Sequence, residues 1–154
     1  MAGTEHIERI NASADKVWPF IDWLGTKKLV LAMTIEKNDI SQATNVEKMD
    51  IDGDKIGSIR TVHFEGGNII KSQLVERDIA NKYYRYRMLD TGDFPFTEYM
   101  NQIWVTPCGP DSCEYKCKVT LSPKKGVSAK DLLDSWVDYI KDTAVKLREL
   151  AGAD

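Results

Sequence analysis

Hydrophobic and polar residues alternate through much of the chain and recur at helical spacing near both ends. In residues 112–122, Cys113, Tyr115, Cys117, Val119 and Leu121 fall in one phase, and Glu114, Lys116, Lys118 and Thr120 in the other. Such alternation marks a strand with one covered face. The same reading predicts strands at about 4–10, 45–51, 56–65, 68–78, 82–90, 97–107 and 112–122, separated by DIDGDK, EGG, DIAN, DTGDFP and PCGPDS. These are turn-forming stretches. Connections this short between consecutive strands imply an antiparallel meander.

Three segments carry the helical period. NASADKVWPFIDWL predicts a helix capped by Ser13, with Val17, Phe20, Ile21 and Leu24 as its apolar stripe. Pro19 lies inside that stripe and predicts a break, because it removes a backbone donor; Gly25 is expected to close the segment. Residues 26–33 predict a second short helix. Near the end, Ser128 caps a run in which Leu132, Leu133, Trp136, Ile140, Ala144 and Leu147 share a face. About twenty residues at helical rise make roughly 30 Å, enough to lie across a curved sheet. Residues 34–44, TIEKNDISQAT, are polar and without period, and are expected to cross the surface. A strand, two short helices, a meander and a long helix make an α+β protein.

One position does not fit an ordinary core. In GSIRTVHF, Ile56, Ser58, Arg60, Val62 and Phe64 share one face, and Gly57, Ile59, Thr61 and His63 share the other. Val62 and Phe64 belong inside, so the permanent cation of Arg60 is in phase with the interior. Elsewhere Tyr84, Tyr86 and Met88 share a face, Tyr99 and Asn101 another, and Tyr115 a third. An interior so rich in hydroxyl, amide and cationic tips must find partners or lose a few kcal/mol at each. A cavity holding water or a ligand would supply them, with apolar walls and a few placed polar groups. The plainer alternative has the tyrosine hydroxyls reaching solvent at an edge and Arg60 extending to the rim.

Composition narrows the classes without choosing among them. The chain has 154 residues, 42% hydrophobic and 29% charged, with a net charge of −3. That fits a single domain over residues 1–154 and argues against a nucleic-acid surface. No secretory or membrane-spanning segment is legible, so a cytoplasmic protein is the expectation. Cys113 and Cys117 fall about 13 Å apart on one strand face, too far for a disulfide or a shared metal. With His6 and His63 lacking a matching cluster, no metal site and no cofactor are expected.

The series INASADKVWPFI, GSIR, QLVERD, YYRYRM and the closing amphipathic helix, in that order, resembles the START-like helix-grip proteins. The likeness is nearest to the small SRPBCC, or polyketide cyclase/dehydrase-like, group; plant abscisic-acid receptors and lachrymatory-factor synthase are more distant. It runs over nearly the whole chain. It implies a bent seven-stranded antiparallel sheet wrapped around the long C-terminal helix, with two short helices after strand one. It further implies that Arg60 projects into a deep pocket, with Tyr86, Tyr99 and Asn101 on its wall and Trp136, Tyr139, Ile140 and Thr143 on the helix side. EGGNI and DTGDFPF would flank the entrance. Enzymatic relatives often carry a glutamate on the fourth strand; here Ser72 stands there and Glu76 lies further along.

Three functions follow from this reading. In the first, a carrier or sensor holds a small, largely apolar, aromatic or polyketide-like oxygenated molecule. Its ligand-binding residues would be Arg60, Val62, Phe64, Ser72, Tyr84, Tyr86, Met88, Tyr99, Asn101, Tyr115, Trp136, Tyr139, Ile140 and Thr143. In the second, a cofactor-independent cyclase, dehydratase or lyase uses Arg60 to stabilise developing negative charge. There Tyr99 or Tyr86 would donate a proton and Asn101 orient a carbonyl. In the third, side chains fill the pocket and the protein works through its surface, which Met100 and Trp104, if exposed, would make apolar and fit for a homodimer.

Overall fold

The computed structural model describes residues 1–33 and 45–153. The expected surface excursion at 34–44 lies outside them. The elements are β1 (Ala2–Ile10), α1 (Ala14–Ile21), α2 (Thr26–Ala32), β2 (Val46–Ile51), β3 (Ile59–Phe64), β4 (Ile69–Asp78), β5 (Tyr83–Asp90), β6 (Phe96–Gly109), β7 (Ser112–Pro123) and α3 (Ala129–Leu150). The strands form one antiparallel sheet in the order β1-β7-β6-β5-β4-β3-β2. The first strand thus joins the last, and β2 is left at the far edge.

Local chemistry explains most boundaries. The hydroxyl oxygen of Ser13 accepts from the Lys16 backbone N–H, and that of Ser128 from the Asp131 N–H. The 22 residues of α3 span roughly 33 Å. Leu132, Trp136, Ile140, Thr143, Ala144 and Leu147 are its buried stripe, and it packs on β1 and β7.

The first helix departs from expectation. It runs through Pro19 to Ile21 without a break. Pro19 and Asp15 are both exposed, so the Asp15 carbonyl that loses its helical donor faces water. Asp22, not Gly25, ends the helix. Gly25 is needed for close approach: a Cβ there would collide with the Pro19 carbonyl oxygen. Because the helical period stops at Ile21, Leu24 is 43% exposed, while Trp23 is wholly buried in its place. Similarly, β3 starts at Ile59 rather than 56, and Ile56 sits 63% exposed in the preceding turn.

Among the described residues, the buried apolar side chains form two clusters rather than one. The larger joins α1, α2 and α3 to β5, β6 and β7, with Trp23, Tyr84, Tyr115, Leu121 and Leu147 among its members. The smaller comprises Val46, Met49, Val62, Phe64 and Ile70 on β2, β3 and β4. Ile51, Met88 and Phe94 are partly buried and border both. Between the two the sheet and α3 leave a gap.

Candidate functional site

That gap is a cavity of about 1090 Å³. Of the residues expected from the sequence, Arg60, Val62, Phe64, Ser72, Tyr86, Met88, Tyr99, Trp136 and Tyr139 line it. Val30 and Met33 at α2, Met49 on β2, Ile70 on β4 and Phe94 before β6 contribute apolar wall that pattern reading missed. Their signal was weak, since each is one apolar residue in a short element whose inner face depends on its neighbours.

Five expected lining residues stand elsewhere. Tyr84 is spent on the helix: its hydroxyl donates to the Ile21 carbonyl at 2.8 Å. Tyr115 and Ile140 are fully buried in the larger cluster, where facing side chains fill their space. Thr143 donates to the Tyr139 carbonyl one turn back, at 2.8 Å. Asn101 sits behind the wall, its Nδ2 donating to the Tyr86 hydroxyl at 3.4 Å, and its buried Oδ1 has no partner. In each case the inward phase was read correctly, but it could not separate packed interior from open interior.

Arg60 occupies the gap itself. It is only 6% exposed. Its guanidinium carbon lies 4.4 Å from the ring centroid of Trp23 and 4.8 Å from that of Tyr86. Two aromatic faces at that range attract a cation. Nε and Nη1 are buried without a hydrogen-bond partner, and among the described residues no carboxylate pairs with it. Trp23 was absent from the sequence reading. It is fixed by its own indole N–H, which donates to the Gly53 carbonyl at 2.8 Å. Beside it, Asp22 accepts from Arg77 at Nε, 3.1 Å, and at Nη2, 2.5 Å. The loop after α1 is thereby tied to the β2–β3 turn and to β4, which sets the ring beneath Arg60.

Aromatic side chains extend from this point along the wall. Tyr86 and Tyr99 lie 6.1 Å apart, Tyr99 and Phe96 5.2 Å, and Phe96 and Phe94 5.4 Å. Phe94 meets Phe64 edge-on at 5.7 Å, so the β5–β6 and β3–β4 connections touch beside the cavity. They are also clasped by Asn68, whose Oδ1 accepts from the Asp93 backbone N–H at 2.9 Å. Gly92 is required there: it has φ +54°, and a Cβ would strike Asn68 and the Ile69 carbonyl.

The phenols are proton donors rather than bases. The Tyr99 hydroxyl accepts from the Trp136 indole N–H at 3.0 Å. Burial, then the neighbouring Tyr86, holds the Tyr99 phenol well above its ordinary range. Burial pushes Tyr139 up to about 12 against the opposing pull of Arg60. Ionisable oxygens appear on the α3 side, where Asp131, Asp134, Asp138 and Asp142 border the cavity together with Lys141. Glu76 is on the other face of β4, exposed and paired with Arg85 at 2.8 Å. His63 also faces outward, 3.5 Å from Asp50.

The remaining sequence features sit away from the cavity. Cys113 and Cys117 are buried free thiols, and Cys108 is exposed. Among the described residues no group of three or more His, Cys, Asp or Glu is placed to hold a metal ion. Trp104 is half-buried between Tyr83, 5.0 Å away, and the Lys116 ammonium, 4.9 Å away; Met100, four residues earlier on β6, is half-buried between Arg87 and Thr120 of the neighbouring strands. No helix among the described residues is long and apolar enough to cross a membrane.

No family model matches the chain. A curated relative, S-norcoclaurine synthase from Thalictrum flavum subsp. glaucum, is 30% identical over 117 residues, covering 72% of this chain and 52% of that protein. The chain thus spans about half the length of the curated relative it matches. Among solved structures, XoxI from Bacillus cereus superposes with a TM-score of 0.76 at 18% identity, over 97% of this chain and 94% of that one. Norcoclaurine synthase from Thalictrum flavum, solved with dopamine and hydroxybenzaldehyde, gives 0.68 at 24%, over 97% and 85%. Zhui aromatase/cyclase from Streptomyces sp. R1128 gives 0.65 at 15%, over 97% and 90%. Seven antiparallel strands, two short helices after the first and a long closing helix are the fold that this chain shares with these neighbours, an α+β helix-grip arrangement.

Proposed function

We propose that this protein binds one small, largely apolar, oxygenated aromatic molecule in the cavity, as a carrier or sensor, with a ligand oxygen set against Arg60. One observation carries the reading: Arg60, 6% exposed, lines a cavity of about 1090 Å³ with its guanidinium Nε and Nη1 unpartnered. Leaving a buried charge without a partner costs several kcal/mol, and a ligand acceptor removes that cost. The stacked walls suit a flat ring. The volume exceeds what one ring requires, so polycyclic ligands are also accommodated. A solved norcoclaurine synthase holding dopamine and hydroxybenzaldehyde supports aromatic guests on this fold.

A second reading is a cofactor-independent cyclase, dehydratase or lyase, and the 30% identity to a synthase favours it. In that reading Arg60 stabilises an oxyanion and Tyr99 donates a proton. The raised Tyr99 phenol is suited to donation and unsuited to abstraction at neutral pH. The carboxylates bordering the cavity from α3 are the remaining candidates for a base. Because the cavity interior offers donors, binding without chemistry is the reading we adopt.

Native mass spectrometry of gently purified protein tests for a retained guest. Titration with hydroxybenzaldehyde, followed by tryptophan fluorescence from Trp23 and Trp136, tests the cavity directly. Saturable quenching that needs at least about tenfold more ligand in Arg60→Met supports the proposal; quenching unchanged by that substitution refutes it. Product formation from hydroxybenzaldehyde and dopamine, lost in Tyr99→Phe, would favour the enzyme.

A further inference from the structure

The cavity wall carries a positive charge, Arg60, that the described part of the protein does not neutralise. Opposite it across the sheet stand Ile51 on β2 and Ser72 on β4. Trp23 and Tyr86 present ring faces. Tyr84 on β5 is within hydrogen-bond reach, but burial raises its phenol despite the pull of Arg60. Tyr139 on α3 is likewise held protonated by burial. Asp131, Asp134, Asp138 and Asp142 border the cavity from α3 alongside Lys141, and none of them pairs with Arg60. Asp134 is instead bonded to Lys130 at 2.6 Å. Every neutral partner near the guanidinium is therefore an aromatic face, a hydroxyl or an aliphatic group.

We propose that the counterion of Arg60, which none of the described residues supplies, is the ligand itself: the cavity takes a weakly acidic aromatic, a phenol or an enol, as its oxyanion. This rests on the cavity-binding reading above and adds the ionisation state of the guest. In the step, the ligand O–H bond breaks, its electron pair stays on oxygen beside Arg60, and the proton leaves to bulk water. Nothing is oxidised or reduced. An opposite charge a few ångströms away in a poorly solvated site favours the ionised form and lowers the acid's pKa. The sign follows: the bound acid titrates below the free one. Apparent affinity therefore rises with pH between the bound and free pKa values, and levels off above the free value.

The probe is 4-nitrophenol, whose phenol and phenolate forms absorb at different wavelengths. The expected result is a bound probe that titrates at least about one pH unit below the free probe, a tenfold change in acid dissociation. Its methyl ether, 4-nitroanisole, is expected to bind at least about tenfold more weakly at neutral pH. Arg60→Met is expected to return bound probe to the free titration; Arg60→Gln is a second neutral variant should the first not fold. If probe and ether bind equally, or bound probe titrates with free probe, the oxyanion assignment falls while cavity binding stands. If neither enters the cavity, by fluorescence quenching or by mass, the binding proposal falls and takes this inference with it.

Discussion

Replacing Arg60 by methionine should make the empty protein more stable while it impairs binding. Burying an unpaired ion costs several kcal/mol even after relaxation. Each desolvated cation–π contact returns up to about 2 kcal/mol, and Arg60 has two, at 4.4 and 4.8 Å. The balance is a net penalty of about 1–3 kcal/mol, which methionine avoids. Its flexible thioether reaches a similar distance and packs well against aromatic rings. For a domain of this size 1 kcal/mol shifts the melting midpoint by about 2–4 °C. Arg60→Met should therefore raise Tm by about 2–12 °C in ligand-free protein, read by circular dichroism and checked by urea unfolding at constant m. Losing a charged hydrogen bond of about 1.5–3 kcal/mol should weaken binding by about 10–150-fold. A lower Tm for the methionine chain, with unfolding still two-state, would mean that Arg60 has a stabilising partner, and the premise of an unneutralised charge would be wrong.

Three other substitutions or reactions test separate parts of the structure. Tyr99→Phe leaves the Trp136 indole N–H without its acceptor at 3.0 Å; it should cost about 1–3 kcal/mol in urea unfolding, and if chemistry occurs it should lower kcat more than it raises KM. Gly25→Ala should cost more than about 3 kcal/mol, because its Cβ meets the Pro19 carbonyl in a backbone that cannot shift freely; a loss below about 1 kcal/mol would place the α1–α2 junction wrongly. Burial pushes the Cys113 thiol up to about 11 and the Cys117 thiol up to about 12, so at about pH 8 an aromatic disulfide reagent should modify Cys108 alone in the native protein and all three thiols after unfolding. Fast reaction of more than one native thiol would contradict the packing behind β7.

Much of the architecture follows from local information. Period-two alternation in β7 fixed its covered face, because only one phase of that strand is apolar. Ser13 and Ser128 marked two helix starts through hydrogen bonds that reach three residues. Arg60 was legible as an inward cation for the same reason: in a strand, the phase of Val62 and Phe64 decides that of their neighbour. The sequence also set the presence of phenols on the inner face, although not which of them would be satisfied by backbone.

Other features depended on contacts between distant residues. No periodicity assigns Trp23 to Arg60, since its place depends on a helix that stops at Ile21 and on a hydrogen bond to Gly53, thirty residues away. Tyr84 and Tyr86 share one strand phase, yet the first is consumed by the Ile21 carbonyl and the second reaches the cavity. Strand phase specifies a direction. Whether that direction leads into packed side chains or an open volume is determined by the spacing of the sheet and α3, and this spacing follows from all their packed contacts together.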